Sequence, residues 1–366
     1  MKKFKNIAIS VIILSFISAL SVFAWFKPVD DISLTERREL NKFPELSFNT
    51  LVSGSFMKNF ESYTLDQFPC RELFRTIKAK SEISLFQKST NNDIFMKDGY
   101  ISKLEYQLDE ASIDNAAKKF NNIYEKYLKG TETDIYLSII PDKNYYLIDG
   151  DSKYLSLDYE KLVTDLTSKT SYMKYIDIFE ELSVESYYKT DTHWRQEKIL
   201  PVAQRIAGEM GVTLKADYTK DYLDKGFYGV YYGQYALPIN SEPMTFLHND
   251  AIDKAKVFDY QNQKSISVYE MSKVQGRDPY EAYLGGPLSL VTIENENATT
   301  EKELVIFRDS FGSSLTPLFI EGYKKITLID IRYIHPNMLE RFIEFNNQDV
   351  LFIYSTSVLN NSETLK

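Results

Sequence analysis

Hydrophobic spacing changes several times along the chain, and each change predicts an element. Ile7 to Phe26 form an uncharged, mostly apolar run preceded by Lys2, Lys3 and Lys5. A helix of about 20 such residues crosses the ~30 Å hydrocarbon core of a bilayer. Lysines on its N-terminal side keep that end in the cytoplasm and place the rest of the chain outside. The run therefore predicts a single-pass anchor, with Trp25 and Phe26 at the membrane interface. A cleavable signal peptide is the competing reading, because Val22-Phe23-Ala24 offers a small-residue cleavage site. Residues 1–27 are read as anchor or signal. Residues 28–52 are polar, contain the charged block Glu36-Arg37-Arg38-Glu39, and read as an irregular linker.

From Ser53 the spacing turns helical, with Phe56, Phe60 and Tyr63 at i, i+4 and i+7. Pro69 stops that helix, and Leu73, Phe74, Ile77 and Ile83 predict the next. Lys97-Asp98-Gly99 between apolar runs is a hairpin signal. A longer amphipathic helix follows through Ala116, Phe120, Ile123 and Tyr127 and stops at Gly130. Then come compact apolar runs: Ile135 to Ile140, Tyr175 to Ile178, Leu304 to Phe307, Ile326 to Ile329 and Val350 to Ile353. Helical stretches separate them, including one kinked at Pro201 that runs toward Gly211. Alternating strands and helices predict an α/β domain over 53–366, a parallel sheet with helices on both faces. The stretch 212–286 differs: Phe227 to Tyr235 is rich in tyrosine and glycine, and Val257 to Tyr269 alternates. It reads as a β-rich insertion.

Composition narrows the function classes. Lys+Arg is 43 and Asp+Glu 52, a formal net charge of −9, which argues against a general nucleic-acid binder. One cysteine, Cys70, excludes an internal disulfide framework and a cysteine-rich zinc site. Three histidines, His193, His248 and His335, leave little room for a multi-histidine metal site. Dinucleotide-binding glycine fingerprints, P-loops and His-Glu-x-x-His are absent.

The candidate chemistry sits at Arg308-Asp309-Ser310-Phe311-Gly312, directly after an apolar run and before a helical stretch. Open α/β sheets form sites at the carboxyl ends of their strands. Ser310, on a turn that Gly312 permits, would present its hydroxyl to solvent, and the backbone N–H groups that follow would face an oxyanion. The same serine also fits a helix N-cap. A serine nucleophile needs a base, and His193 is the candidate because Asp191 lies two residues before it, within reach of one ring nitrogen while the other faces the serine. His248 and His335 read as loop or helix-start residues. The esterase-type Gly-x-Ser-x-Gly elbow is not matched, since Arg308 stands where its first glycine would be.

Four elements in order carry a family resemblance: Asp66-Gln67-Phe68-Pro69 with Arg71, Asp191-Thr192-His193-Trp194, Asp309-Ser310-Phe311-Gly312, and Asp330-Ile331-Arg332-Tyr333. Together they resemble the DHHW proteins, with Thr192 at the signature's second position. That family is similar to the alginate O-acetylation proteins, whose SGNH-hydrolase-like domain is circularly permuted so that the Asp-His element precedes the serine. The resemblance implies Ser310 as nucleophile, His193 as general base and Asp191 as its orienter. It also matches Lys143, in Pro141-Asp142-Lys143, to an element of the relatives, with substrate contact or a solvated lysine as the alternatives. Arg332, just past a strand end, would bind a carbonyl or polysaccharide oxygen, or form a structural ion pair. Trp194 would wall the site or pack the following helix.

The implied activity is an exported, membrane-anchored O-acetyltransferase acting on a cell-surface polysaccharide through an acetyl-serine. A membrane-bound O-acyltransferase would supply acetyl groups, and no cofactor or metal is called for. An acetylesterase with the same residues is one alternative. A non-catalytic polysaccharide-binding or assembly partner, with Tyr228, Tyr231, Tyr232 and Tyr235 stacking on sugars, is another.

Overall fold

A computed structural model describes residues 2–148, 150 and 153–366. These fall into two compact units: Met1–Asn92 with Tyr232–Ile239, and Asp93–Tyr231 with Asn240–Lys366.

The first unit opens with helix α1 (Lys2–Phe26), whose apolar side chains are exposed along its length. Among the described residues it is the one helix long and apolar enough to cross a membrane, a test that a signal sequence also passes. Residues 28–52, expected to be irregular, instead carry a hairpin of β1 (Ile32–Ser33) and β2 (Arg38–Glu39), then helix α2 (Phe48–Val52). Helices α3 (Ser55–Asp66) and α4 (Arg71–Lys80) follow, α3 stopping three residues before Pro69. The Asp66-Gln67 pair ties the hairpin down. Asp66 accepts both terminal nitrogens of Arg38, the Asn41 N–H at 2.8 Å and the Asn41 amide at 2.7 Å. The contact with Arg38 leads the effects that hold the Asp66 carboxyl below the usual aspartate range.

The second unit is built on an eight-stranded sheet. A separate hairpin, β3 (Ile94–Lys97) with β4 (Tyr100–Lys103), forms where Lys97-Asp98-Gly99 signalled it. Helix α5 (Glu110–Ile123) leads into β5 (Ile135–Ile140), short helix α6 (Asn144–Leu147), helix α7 (Tyr159–Lys169) and β6 (Lys174–Tyr175). Helix α8 (Leu200–Glu209) is not kinked at Pro201. A 3₁₀ turn at Gln196–Lys198 precedes it, and Pro201 sits in the helix's first turn, where its missing N–H costs nothing.

The stretch 212–286 holds β7 (Thr219–Tyr222), α9 (Val230–Tyr235), β8 (Thr245–His248), α10 (Asp250–Lys254), β9 (Lys256–Asp259) and β10 (Lys264–Ile266). Of these, β7 pairs with β8, while β9 and β10 extend the main sheet. The chain closes with β11 (Leu290–Glu294), β12 (Glu303–Arg308), α11 (Phe311–Leu315), β13 (Lys325–Ile329), β14 (Asp349–Ser355) and α12 (Thr356–Leu359).

Strand order in the main sheet is β10-β9-β11-β13-β12-β14-β5-β6. From β13 to β6 the pairs are parallel, but β11, β9 and β10 run antiparallel, so the sheet is mixed and not wholly parallel as expected. Period-2 alternation splits the central strands between two cores. Leu304, Ile306, Leu351 and Ile353 face a core shared with Val202 and Ile206 of α8. Val305, Phe307, Val350 and Phe352 face the other, shared with Phe120 of α5 and Leu162 and Leu166 of α7. With both faces covered, these strands read as continuous apolar runs. The chain leaves β12 for β13 on one side and returns to β14 on the other, so strand order reverses at the C-terminal end of β12, where α/β sheets open a crevice.

Candidate active site

Ser310 stands in that crevice, two residues past β12 and one before α11. Asp309 fixes the turn. It is fully buried, with Oδ1 accepting the Phe311 N–H at 3.0 Å and Oδ2 accepting the Ser355 N–H of β14 at 2.7 Å. Ser310 has ordinary right-handed helical dihedrals (φ −62°, ψ −24°), and its side chain caps nothing. Gly312 therefore does not supply a left-handed turn. It lets α11 lie against the end of β12, since a Cβ there would come within 2.7 Å of Arg308 Cβ.

The Ser310 hydroxyl meets His193 Nε2 at 2.7 Å, and His193 Nδ1 meets Asp191 Oδ1 at 2.6 Å. A carboxylate on Nδ1 places the imidazole hydrogen there, so Nε2 accepts from the serine. Asp191 is fully buried and His193 nearly so, while Ser310 is half-buried and reachable. The Asp-Thr-His segment occupies a tight loop closed by a bridge between Tyr187 and Trp194.

Three further elements hold this loop. Glu242 accepts the N–H groups of Lys189 (2.8 Å) and Thr190 (2.9 Å) and the Thr190 hydroxyl (2.8 Å). Gly229 donates its N–H to Thr190 Oγ1 at 2.8 Å, and Val230 donates to Asp191 Oδ2 at 2.8 Å. Lys143 donates to the Tyr188 carbonyl at 2.8 Å. Tyr280 stacks flat on the imidazole, ring centres 3.8 Å apart, and its hydroxyl bonds Ser314 Oγ at 2.7 Å.

The other sequence candidates take definite places. Lys143 is buried, not solvated: burial pushes its ammonium down to about 7, against the opposing pull of Asp191 and Glu242. Trp194 is buried and does not wall the site; its indole N–H reaches Ser314 Oγ at 2.9 Å, and its ring meets Phe311 edge-on. It braces α11 behind the serine. Arg332 forms a two-pronged pair with Asp330, at 2.9 and 2.7 Å. Burial, the largest single effect, lowers its guanidinium, but the hydrogen bonds to Asp330 and the negative charges of Asp330 and Asp309 together outweigh this and hold it above the ordinary arginine value. Arg308 is fully buried and, among the described residues, held by contacts of 3.4–3.5 Å to Asp309, Asp330 and Gly286; burial lowers it.

The expected oxyanion donors differ. The N–H groups of Phe311, Gly312 and Ser313 are spent on Asp309 Oδ1, Asp309 O and Ser310 O. Ser310's own N–H has no hydrogen-bond partner among the described residues.

Of the remaining histidines, His248 pairs with Asp253 at 2.7 Å and lines a groove of about 660 Å³ that none of Ser310, His193 and Asp191 lines. His335 accepts the Asn337 N–H at a helix start. Among the described residues no group of three His, Cys, Asp or Glu could hold a metal ion. Glu242 and Tyr280 were not singled out in the sequence, and Asp309 was named there only as part of the serine motif. The nearest signal was the tyrosine- and glycine-rich run from Phe227, two of whose main-chain N–H groups secure the Asp191 loop.

The fold and the site together define an α/β protein with a serine–histidine–aspartate hydrogen-bonded chain at a sheet's switch point. No protein-family model matches the sequence, and no curated protein matches it. Solved structures do. A DHHW family protein from Eubacterium siraeum shares the fold at a TM-score of 0.60, with 22% identity over 75% of this chain and 95% of that one. Bacillus cereus PatB1, in a structure with a sulfonyl adduct, aligns at a TM-score of 0.60, with 19% identity over 73% of this chain and 95% of that one. The O-acetyltransferase domain of Pseudomonas putida AlgJ lies further off, at 10% identity and a TM-score of 0.44 over 73% of this chain and 92% of that one. The chain is thus similar in fold to a DHHW family protein and to PatB1.

Proposed function

We propose that this chain is an extracytoplasmic O-acetyltransferase, anchored by α1, that acetylates hydroxyl groups of a cell-surface polysaccharide. The observation that carries the reading is the contact of Ser310 Oγ with His193 Nε2 at 2.7 Å, backed by the buried Asp191. His193 takes the serine proton as Oγ attacks the acetyl carbonyl. The C–O bond to the donor then breaks, and the departing group receives that proton. In the second half an acceptor hydroxyl gives its proton to His193 and attacks the acetyl-serine. Ser310 regains its hydroxyl as the acetyl group leaves. Asp191 keeps the imidazole in the tautomer both halves need, and the Ser310 N–H faces the developing oxyanion.

The order Asp191, His193, Ser310 suits a circularly permuted SGNH-like arrangement. Lys143 supports the Asp191 loop from behind, and Arg332, at the edge of the site's second ion pair, remains the candidate for an acceptor oxygen. Acetyl groups would come from a membrane-bound O-acyltransferase in the same membrane. The sulfonyl adduct of PatB1 supports a nucleophile that electrophiles trap.

The test is intact-mass analysis after exposure to an activated acetyl ester, with wild type and Ser310→Ala, followed by addition of an oligosaccharide. Wild type gains one acetyl group, passes it to the sugar faster than to water, and Ser310→Ala gains none. Acetyl loss to water at the same rate with and without sugar would make the protein an esterase. Equal labelling of the two proteins would remove Ser310 from the chemistry.

A further inference from the structure

Immediately after α1 the chain is pinned. Lys27 Nζ meets Asp30 Oδ2 at 2.5 Å. The main chain of Asp30 exchanges two hydrogen bonds with the Gln67 side-chain amide, its N–H donating to Oε1 at 3.0 Å and its carbonyl accepting Nε2 at 2.8 Å. Gln67 is the C-terminal cap of α3. Four residues span at most ~14 Å, so the junction of α3 and α4 is held within that distance, plus one side chain, of Phe26 at the end of α1. The interfacial layer of a bilayer is itself ~5–8 Å deep on each side.

The surface held there is uncovered, and its apolar side chains stand among the charged Lys27, Asp30, Arg71 and Glu72. A groove of about 440 Å³ starts at Lys27 and runs past Leu34, Phe68 and Leu73. Leu34 is 68% exposed and Leu73 58%. Beyond it, Phe48, Leu51 and Val52 are exposed, and α2 buries no residue at all. Helix α3 buries only Asp66 and α4 only Ala79. Apolar side chains this dense on a surface mark a site of interaction, and the leash to α1 says with what.

We propose that the face of the N-terminal unit formed by Leu34, Phe68 and Leu73 lies in the headgroup layer of the leaflet where α1 ends, as a collar bound to the lipid surface. The reading rests on α1 being retained as a membrane span. Lipid covers the groove because any partner must fit within a few residues' reach of the bilayer, where phospholipid is already present at the highest concentration.

The test uses the full chain with Cys70→Ser and single cysteines Leu34→Cys, Leu73→Cys, Phe16→Cys in α1 and Ser265→Cys on β10. Each carries a fluorophore and is placed in phosphatidylcholine nanodiscs containing spin-labelled lipid. Lipid labelled at the headgroup should quench positions 34 and 73 several-fold more than position 265. Lipid labelled in mid-chain should quench position 16. Positions 34 and 73 behaving like 265 while 16 is quenched overturns the collar and leaves the anchor standing. An unquenched position 16 removes the anchor and the collar with it. Labels at 34 and 73 that escape lipid quenching but become shielded as protein concentration rises assign the face to a second copy, and this also overturns the proposal.

Discussion

The main-chain N–H of Val230 donates to Asp191 Oδ2 at 2.8 Å, while the other oxygen of that carboxylate meets His193 Nδ1 at 2.6 Å. The tyrosine- and glycine-rich run thus fixes the Asp191 carboxylate from behind. Its approach needs glycine at 229, where a Cβ would lie 2.2 Å from the Thr190 carbonyl oxygen and 2.3 Å from the Asp191 nitrogen. Both are backbone atoms, which cannot yield without moving Asp191. Gly229→Ala should therefore lower kcat on an activated acetyl ester ~10²-fold, the usual loss when reacting groups are misplaced by about 1 Å. Gly208→Ala, with nothing within 4 Å of the new Cβ, is the control and should turn over like wild type. Equal rates for the two variants would show that the loop does not set the geometry.

Asp191→Asn should leave the melting temperature close to wild type and slow acetylation of Ser310 by ~10⁴-fold, on the pattern of serine proteases. The amide can present its NH₂ to Nδ1 and so favour the wrong tautomer, with hydrogen on the nitrogen that must accept from Ser310. Stopped-flow release of the ester's leaving group measures the step. A loss below tenfold would mean that His193 works without its carboxylate.

Glu242→Gln tests the clamp on the same loop. The carboxylate accepts three hydrogen bonds, and an amide must turn its NH₂ toward the part-buried Lys189 N–H or the buried Thr190 donors, leaving at least one donor unpaired. A buried unpaired group costs ~1–3 kcal/mol. Turnover should fall ~10- to 100-fold, with KM for the ester unchanged. In an Asp191→Asn background the same substitution should add almost nothing to the rate loss, because residues acting through one element do not add. Additive losses would give Glu242 a separate role.

That Ser310, His193 and Asp191 come together was legible because each followed from a local rule. An apolar run ends at Arg308, only three histidines compete for the base, and one of them has an aspartate two residues away. The central strands were legible too, since burial on both faces leaves Leu304–Phe307 and Val350–Ile353 without polar interruptions. What failed was non-local. Tyr280 and Glu242 lie 87 and 49 positions from His193 in a stretch whose local pattern says nothing of their partners (280 − 193; 242 − 193). The antiparallel edge was hidden because β9 and β10 are short and their alternation fits a separate insertion equally well. Asp66 was legible as part of a motif but not as a structural tie. Its partners Arg38 and Asn41 lie in a segment whose charge and prolines read as a linker.

Lys143 carries a pH signature with a definite sign. Its ammonium is fully buried and, through desolvation, titrates at about 7 in the folded protein, against an ordinary lysine value of ~10.4 in the unfolded chain. Below about 7 both states hold the proton, and the cost of burying the charge is fully present. Between there and the ordinary lysine range the unfolded chain binds a proton that the folded protein has released, so raising the pH favours folding by up to ~1.4 kcal/mol per unit. Lys143→Met removes the titration but leaves the Tyr188 carbonyl, and the more distant Lys189 carbonyl, without that donor. The variant's stability relative to wild type should therefore be most favourable near pH 6 and decline steadily toward pH 9. Urea unfolding of both proteins at pH 6, 7.5 and 9 measures the difference. Parallel stability curves would mean that Lys143 keeps an ordinary lysine titration in the folded protein, and that its hold on the loop before Asp191 does not weaken as the pH rises.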